Sequence, residues 1–182
     1  YFKSKPIEKY DIDWRKIDLR NPQEISKIMQ NVDIVMQYAA TTSGAKDIVS
    51  IPYIHVTDNA VINSLILRET YEHKIQNFVF PSCSIMYKSA EKPILENDFK
   101  EDEGVPEKYY GAGNTKVYLE KMCKFYSKFK RTKHTVIRQS NLYGPYDKYD
   151  LDKSHMFGAT IHKVFEAKDN DNIIVWGRGN EE

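Results

Sequence analysis

Continuous apolar runs alternate with runs of helical spacing along this chain. Residues 32–40, VDIVMQYAA, are apolar almost throughout and bounded by polar residues, the mark of a strand buried in a parallel sheet. Residues 57–73 then place Val61, Ile62, Leu65 and Ile66 at helical spacing. A second buried strand is expected at 77–82, starting NFVF and running on into PSCS. A long acidic loop with Pro93 and Pro106 fills 88–107. Beyond it the stretch 108–122, KYYGAGNTKVYLEKM, reads as a loop turning into an amphipathic helix, with Lys116 near the helix start. Leu119, Met122, Cys123, Tyr126 and Phe129 fall on one face of that helix. A strand at 134–139, a helix at 155–167 and a short strand at 172–176 close the pattern. Upstream, WRKIDL within 11–19 is strand-like and ends at Asp18. Asn21 and Pro22 then supply an N-cap and a first helical position for a helix reaching about Gln30.

Strands that alternate with helices at crossover spacing define an α/β domain with a parallel sheet. Helices are expected on both faces of that sheet. The alternation breaks near Tyr146, so residues 1–146 read as one domain and 147–182 as the start of a smaller substrate-covering lobe.

Composition narrows the function classes. A chain of 182 residues with 41% hydrophobic and 29% charged residues suits one globular domain with a core. A formal net charge of +1 gives no strong pull toward nucleic acid or an anionic membrane, and no apolar run reaches spanning length. The densest basic run, KFKRTK at 128–133, reads as a solvated helix end. Two cysteines, Cys83 and Cys123, read as reduced thiols of a cytoplasmic protein. His55, His73, His134 and His162 show no ligand spacing with them, so no metal is expected.

Small or polar residues follow each apolar run: Ala39 and Ala40, Ser82 to Ser84, and Asn141 to Pro145. In an open α/β sheet the ligand crevice lies at the carboxyl ends of the strands, so all three are expected to open onto one crevice. Four runs carry a family pattern: DIVMQYAA at 33–40, FPSCSIMY at 80–87, RQSNLYGP at 138–145, and KSHMFGATIHKVFEA with IIVWGRG between 153 and 179. By these runs the chain resembles the extended short-chain dehydrogenase/reductase superfamily of nucleotide-sugar epimerases and dehydratases, most of all its GDP-fucose synthase branch.

That resemblance implies a Rossmann-like, doubly wound sheet that binds NADP or NAD and a nucleotide sugar. In the GDP-fucose synthase branch the sugar is a GDP-linked 4-keto-6-deoxy sugar. It implies cofactor contacts at Asp18, Ala39, Ala40, Lys116 and Asn141, and substrate contacts at Asn141, Trp176 and Arg178. It implies catalytic positions at Cys83, Ser84, Ala112, Lys116 and His155. In this family a Tyr stands four residues before the Lys, one helical turn away, as acid or base. Here that position holds Ala112, and the usual catalytic hydroxyl position holds Cys83, flanked by Ser82 and Ser84. The family's Gly-rich phosphate loop would precede Tyr1. Homodimers formed through helices 57–73 and 115–130 are also implied.

Plainer readings stand beside these. Cys83 equally suits the core. Asp18 suits a turn, Asn141 and Tyr143 suit the bend at Gly144 and Pro145, Trp176 suits a lobe core, and His155 suits a solvated helix end. The resemblance leaves three functions open. One is an epimerase/reductase altered at Ala112. Another is an NAD-dependent 4-epimerase or 4,6-dehydratase. The third is a non-catalytic binding protein on the same fold.

Overall fold

Asn21 opens the first helix of the structure, a computed structural model that describes residues 11–41, 50–151 and 154–174. Its Oδ1 accepts from the backbone N–H groups of Gln23 at 3.0 Å and Glu24 at 3.4 Å. Pro22 takes the first helical position, where no N–H is needed. Helix α1 (Pro22–Ile28) buries Ile25. Residues 11–18 before it have no regular structure, so WRKIDL is not a strand. Among the described residues the sheet offers it no partner, and a strand needs one to satisfy its backbone groups.

The sheet is parallel with spatial order β1-β2-β3. Strand β1 (Ile34–Met36) pairs with β2 (Asn77–Cys83), Ile34 against Asn77 through Met36 against Val79. Strand β3 (Lys133–Gln139) pairs with β2 along its whole length, up to Cys83 against Gln139. Helix α2 (Thr57–Glu72) connects β1 to β2, and helix α3 (Tyr110–Ser127) connects β2 to β3.

Among the described residues both connecting helices lie on one face of the sheet. Tyr71 of α2 packs its ring 5.8 Å from that of Tyr126 in α3 and 5.3 Å from that of Phe129 just beyond it. The physical reason is topological. Strands laid side by side in chain order step in one direction, and crossovers of constant hand then put both helices on the same side.

Phe78 and Phe80 of β2 fill the space under these helices, with Ile62, Ile66 and Leu67 of α2, Leu119 and Cys123 of α3, and Ile25 of α1. Burying a side chain of this size contributes roughly 1.5–3 kcal/mol. Ile34, Met36 and Ile137 are exposed. Lys74 and Lys130 take positive φ, 54° each, just beyond α2 and α3, and turn the chain out of the helix.

Helix α3 begins earlier than its sequence predicts, so Lys116 sits in its second turn. Two glycines let the first turn pack tightly. A Cβ on Gly111 would stand 2.8 Å from Val56 Cγ2, and one on Gly113 would stand 3.3 Å from Val105 Cβ. The helix-propensity cost is about 1 kcal/mol per glycine.

The described residues form two compact units, 11–41 with 52–140, and 50–51 with 141–151 and 154–174. A division after 146 falls inside the second unit. There, helix α4 (Met156–Glu166) follows a turn in which Tyr149 donates to Gly144 O at 3.0 Å. The Tyr143 and Phe157 rings lie 4.3 Å apart. Residues 172–174, the described part of the expected last strand, are not in a strand.

Candidate functional site

Lys116 is held at the carboxyl end of β2. Its Nζ donates to Pro81 O at 2.8 Å and lies 4.7 Å from the centre of the Phe80 ring. Burial pushes the Lys116 ammonium below the ordinary lysine range, while the nearby Cys83 and Glu120 pull it back up. Cys83 ends the same strand and is half-buried. Burial raises its thiol, and Lys116 opposes that rise. Cys83 and Lys116, both picked out from sequence, are therefore neighbours. Ser84, the next residue, is exposed. It lines a cleft of about 700 Å³ with Tyr87, Leu95, Ile137 and Arg138. Ser82 is buried on the same strand end, and its Oγ has no hydrogen-bond partner among the described residues.

Ala112 stands one turn before Lys116 on α3, half-buried between the two packed glycines. The helix therefore delivers the expected spacing, and the side chain there ends at a methyl group.

Ala39 and Ala40 follow β1 and are exposed. Their backbone is pinned from below by residues that sequence reasoning missed. Gln37, buried, donates from Nε2 to Ala39 O at 2.9 Å and to Asn63 Oδ1 at 3.2 Å. Asn63 donates to Asn59 O at 2.8 Å. Asn59 holds Thr41 by both backbone groups and also donates to His55 O at 2.9 Å. The signal was present: Asn59 and Asn63 fall four apart on α2, beside the apolar stripe of Ile62 and Ile66. Polar residues there need internal partners. The result is a short stretch of small residues held in one shape, the kind of surface a flat ring can lie against.

A second cluster joins three segments. Arg138 donates from Nη2 to Glu120 Oε2 at 2.7 Å and from Nε to both Glu120 oxygens at 3.1 Å. Its Nη1 donates to Tyr87 Oη at 2.8 Å and to Glu96 O at 2.9 Å. Sequence reasoning used Arg138 only as part of a motif.

Asp18 is engaged locally. Arg20 donates to its two carboxylate oxygens at 3.0 and 2.9 Å, and these hydrogen bonds hold the carboxyl down at about 2. Arg20 also reaches Asp58 in the first turn of α2, at 3.5 Å, which places Asp18 beside the start of that helix. Asn141 and His155 belong to the second unit. Asn141 is exposed, and His155 is the exposed N-cap residue of α4, its backbone oxygen accepting from Ala159 at 2.9 Å. Trp176 and Arg178 lie outside the described residues. Among the described residues, no three His, Cys, Asp or Glu come together as metal ligands, and no helix is long and apolar enough to cross a membrane.

A parallel sheet with a lysine latched to one strand end and a pinned pair of alanines at another defines an α/β protein whose candidate ligand crevice lies at the carboxyl ends of its strands. The chain belongs to the NAD dependent epimerase/dehydratase family, whose sequence profile matches residues 2–182. It is 28% identical over 172 residues to a GDP-L-fucose synthase of Sinorhizobium fredii, covering 92% of this chain and 54% of the relative. It is 25% identical over 164 residues to GDP-mannose 3,5-epimerase 1 of Oryza sativa, covering 90% and 43%. The chain thus spans about half the length of the curated relatives it matches. The fold is shared with a GDP-L-fucose synthetase from Naegleria fowleri solved with NADP bound. The TM-score is 0.75 at 21% identity, over 89% of this chain and 54% of that one.

Proposed function

We propose that this chain is part of an NADP(H)- or NAD(H)-dependent nucleotide-sugar epimerase/reductase that takes a GDP-linked 4-keto-6-deoxy sugar. The observation that carries the reading is Lys116. It is a half-buried ammonium fixed by Pro81 O at the end of β2, beside Cys83 and Ser84. The similarity to GDP-L-fucose synthases supports the GDP-sugar class. The residues present fit a dinucleotide. Ala39 and Ala40 offer bare, pinned backbone and Lys116 offers a cation for ribose hydroxyls; Asp18 and Asn141 are taken as further contacts from the family resemblance alone. When bound, the dinucleotide supplies hydride transfer. The chain's own residues hold it, and Ser84 or Cys83 meets the sugar oxygen. His155 serves as the acid of the epimerisation, and Trp176 and Arg178 take the nucleotide base and phosphate.

Ala112 favours a second reading, a non-catalytic nucleotide-sugar or dinucleotide-binding protein. The acid/base position carries no proton to give, and losing a positioned acid/base costs about two to four orders of magnitude in rate. Titrating the intact protein with NADPH, NADH and GDP-4-keto-6-deoxymannose, and following turnover, separates the two. Binding with turnover supports the enzyme, and binding without turnover supports the binding protein. No binding of either dinucleotide at millimolar concentration overturns the enzyme, and no binding of the GDP sugar besides overturns both.

We place the protein in the cytoplasm as a homodimer. The free thiols Cys83 and Cys123 support the first. The exposed Val61 on α2 and Tyr118 and Phe125 on α3 support pairing through these two adjacent helices. Sedimentation of Phe125→Glu should show a monomer where the parent protein shows a dimer. A monomeric parent removes this part of the reading.

A further inference from the structure

Lys116 and Glu120 are one helical turn apart on α3, so both heads lie on one side of the helix. Glu120 is mostly buried and paired with the likewise mostly buried Arg138. Arg138 belongs to β3 and also holds Tyr87 and the backbone of Glu96, which belong to the segment leading away from Cys83 and Ser84. The Arg138 guanidinium lies 5.6 Å from the centre of the Tyr87 ring and 5.4 Å from that of Phe99. One ion pair therefore ties together the helix that carries Lys116, the strand that leads to Asn141, and the segment that carries Ser84.

From this geometry we infer that Glu120 is a positioning residue for the lysine site: through Arg138 it sets the 84–96 segment against α3, and its charge acts on Lys116. The inference rests on the reading of Lys116 given above. A charge on a mostly buried carboxylate one turn away is poorly screened, so it stabilises the ammonium that burial disfavours. The titratable groups acting on Lys116 are Cys83 from β2 and Glu120 from its own helix. Arg138, from β3, reaches Lys116 by neutralising Glu120. Breaking a buried pair by removing one partner leaves an uncompensated charge, whereas removing both is often tolerated.

The test uses the intact protein, its Glu120→Gln and Arg138→Met variants, and the double variant Glu120→Leu with Arg138→Met. The titration of Lys116 is followed by the NMR shift of its 13C-labelled ε-carbon, and NADPH affinity by fluorescence. Glu120→Gln should lower the Lys116 midpoint. Arg138→Met should raise it, because the freed carboxylate then acts on the ammonium unopposed. Both single variants should weaken NADPH about tenfold, within the range for residues coupled in one network. The double variant should recover thermal stability yet keep the low Lys116 midpoint and weak NADPH binding. An unchanged midpoint in Glu120→Gln, a shift of the same sign in both single variants, or a double variant that binds NADPH like the parent each overturns the inference. A parent protein that binds no NADPH overturns the cofactor reading instead, while the Lys116 titration still decides the role of Glu120.

Discussion

Asn59 holds Thr41 by both of its backbone groups: Oδ1 accepts from Thr41 N at 2.7 Å, and Nδ2 donates to Thr41 O at 3.0 Å. The pairing copies a strand ladder with one side chain. It fixes the far side of the Ala39–Ala40 step, while Gln37 fixes the near side at Ala39 O.

Asn59→Ala strips partners from Thr41 N, Thr41 O and His55 O at once. The expected loss of stability is about 1–3 kcal/mol, the cost of unsatisfied buried polar groups, read from urea denaturation. Dinucleotide affinity should fall as well. A destabilised variant whose dinucleotide affinity is unchanged shows that the network does not shape the cofactor contact.

Lys116 carries a pH dependence with a definite sign. Burial lowers its folded-state value, so between that value and the ordinary lysine value, about 10.4, the unfolded chain holds more protons. Stability should therefore rise with pH through this window, and the penalty of burying the charge is fully present below it. Lys116→Met should flatten that rise in denaturation curves recorded from pH 8 to 10.5. A parent and variant with the same slope would mean that Cys83 and Glu120 offset the whole effect of burial on Lys116.

The two thiols should differ in reactivity. Cys123 is buried against α2 and the sheet, and burial pushes its thiol up to about 12. Cys83 is also raised by burial but has Lys116 and Arg138 lowering it again. Alkylation at pH 8, followed by mass spectrometry, should modify Cys83 first, since the thiolate is the reacting form. Lys116→Met should slow Cys83 by removing the charge that favours its thiolate.

Ala112→Tyr places a phenol one turn before Lys116, whose positive charge lowers its pKa. Activity on a 4-keto nucleotide sugar should rise by at least about two orders of magnitude. Adding Cys83→Ser should raise it beyond the sum of the single changes, since residues acting as a unit are non-additive. Gly111 and Gly113 are packed against Val56 and Val105 on either side, so far-UV circular dichroism of the variant is the control. A folded variant that binds both ligands and still gives no turnover supports the binding-protein reading.

Much of the frame was legible because it rests on local pattern. The runs at 32–40, 77–82 and 134–139 each contain a strand, Ile34–Met36, Asn77–Cys83 and Lys133–Gln139 in turn, although only the middle one is buried along most of its length; Asn21 with Pro22 marks a helix start that needs no tertiary help. WRKIDL misled because a strand-like run alone does not supply a ladder partner. The early start of α3 was hidden by Gly111 and Gly113, which speak against a helix until their contacts with Val56 and Val105 are seen. At the site, Lys116 and Cys83 could be placed from motif spacing. The partners of Arg138 could not, since Glu120 lies 18 residues away and Tyr87 lies 51 away. The link from Gln37 to Asn63 spans 26 residues and is likewise invisible to any local window.

The latch of Lys116 onto Pro81 O and the Phe80 ring involves no atom of residue 112. The lysine keeps its place whether a phenol or a methyl group stands one turn before it. On the proposed reading, exchange at 112 therefore adds or removes an acid while the seat beneath it persists. Under that reading, loss of the acid and loss of the ligand are separable events in a lineage.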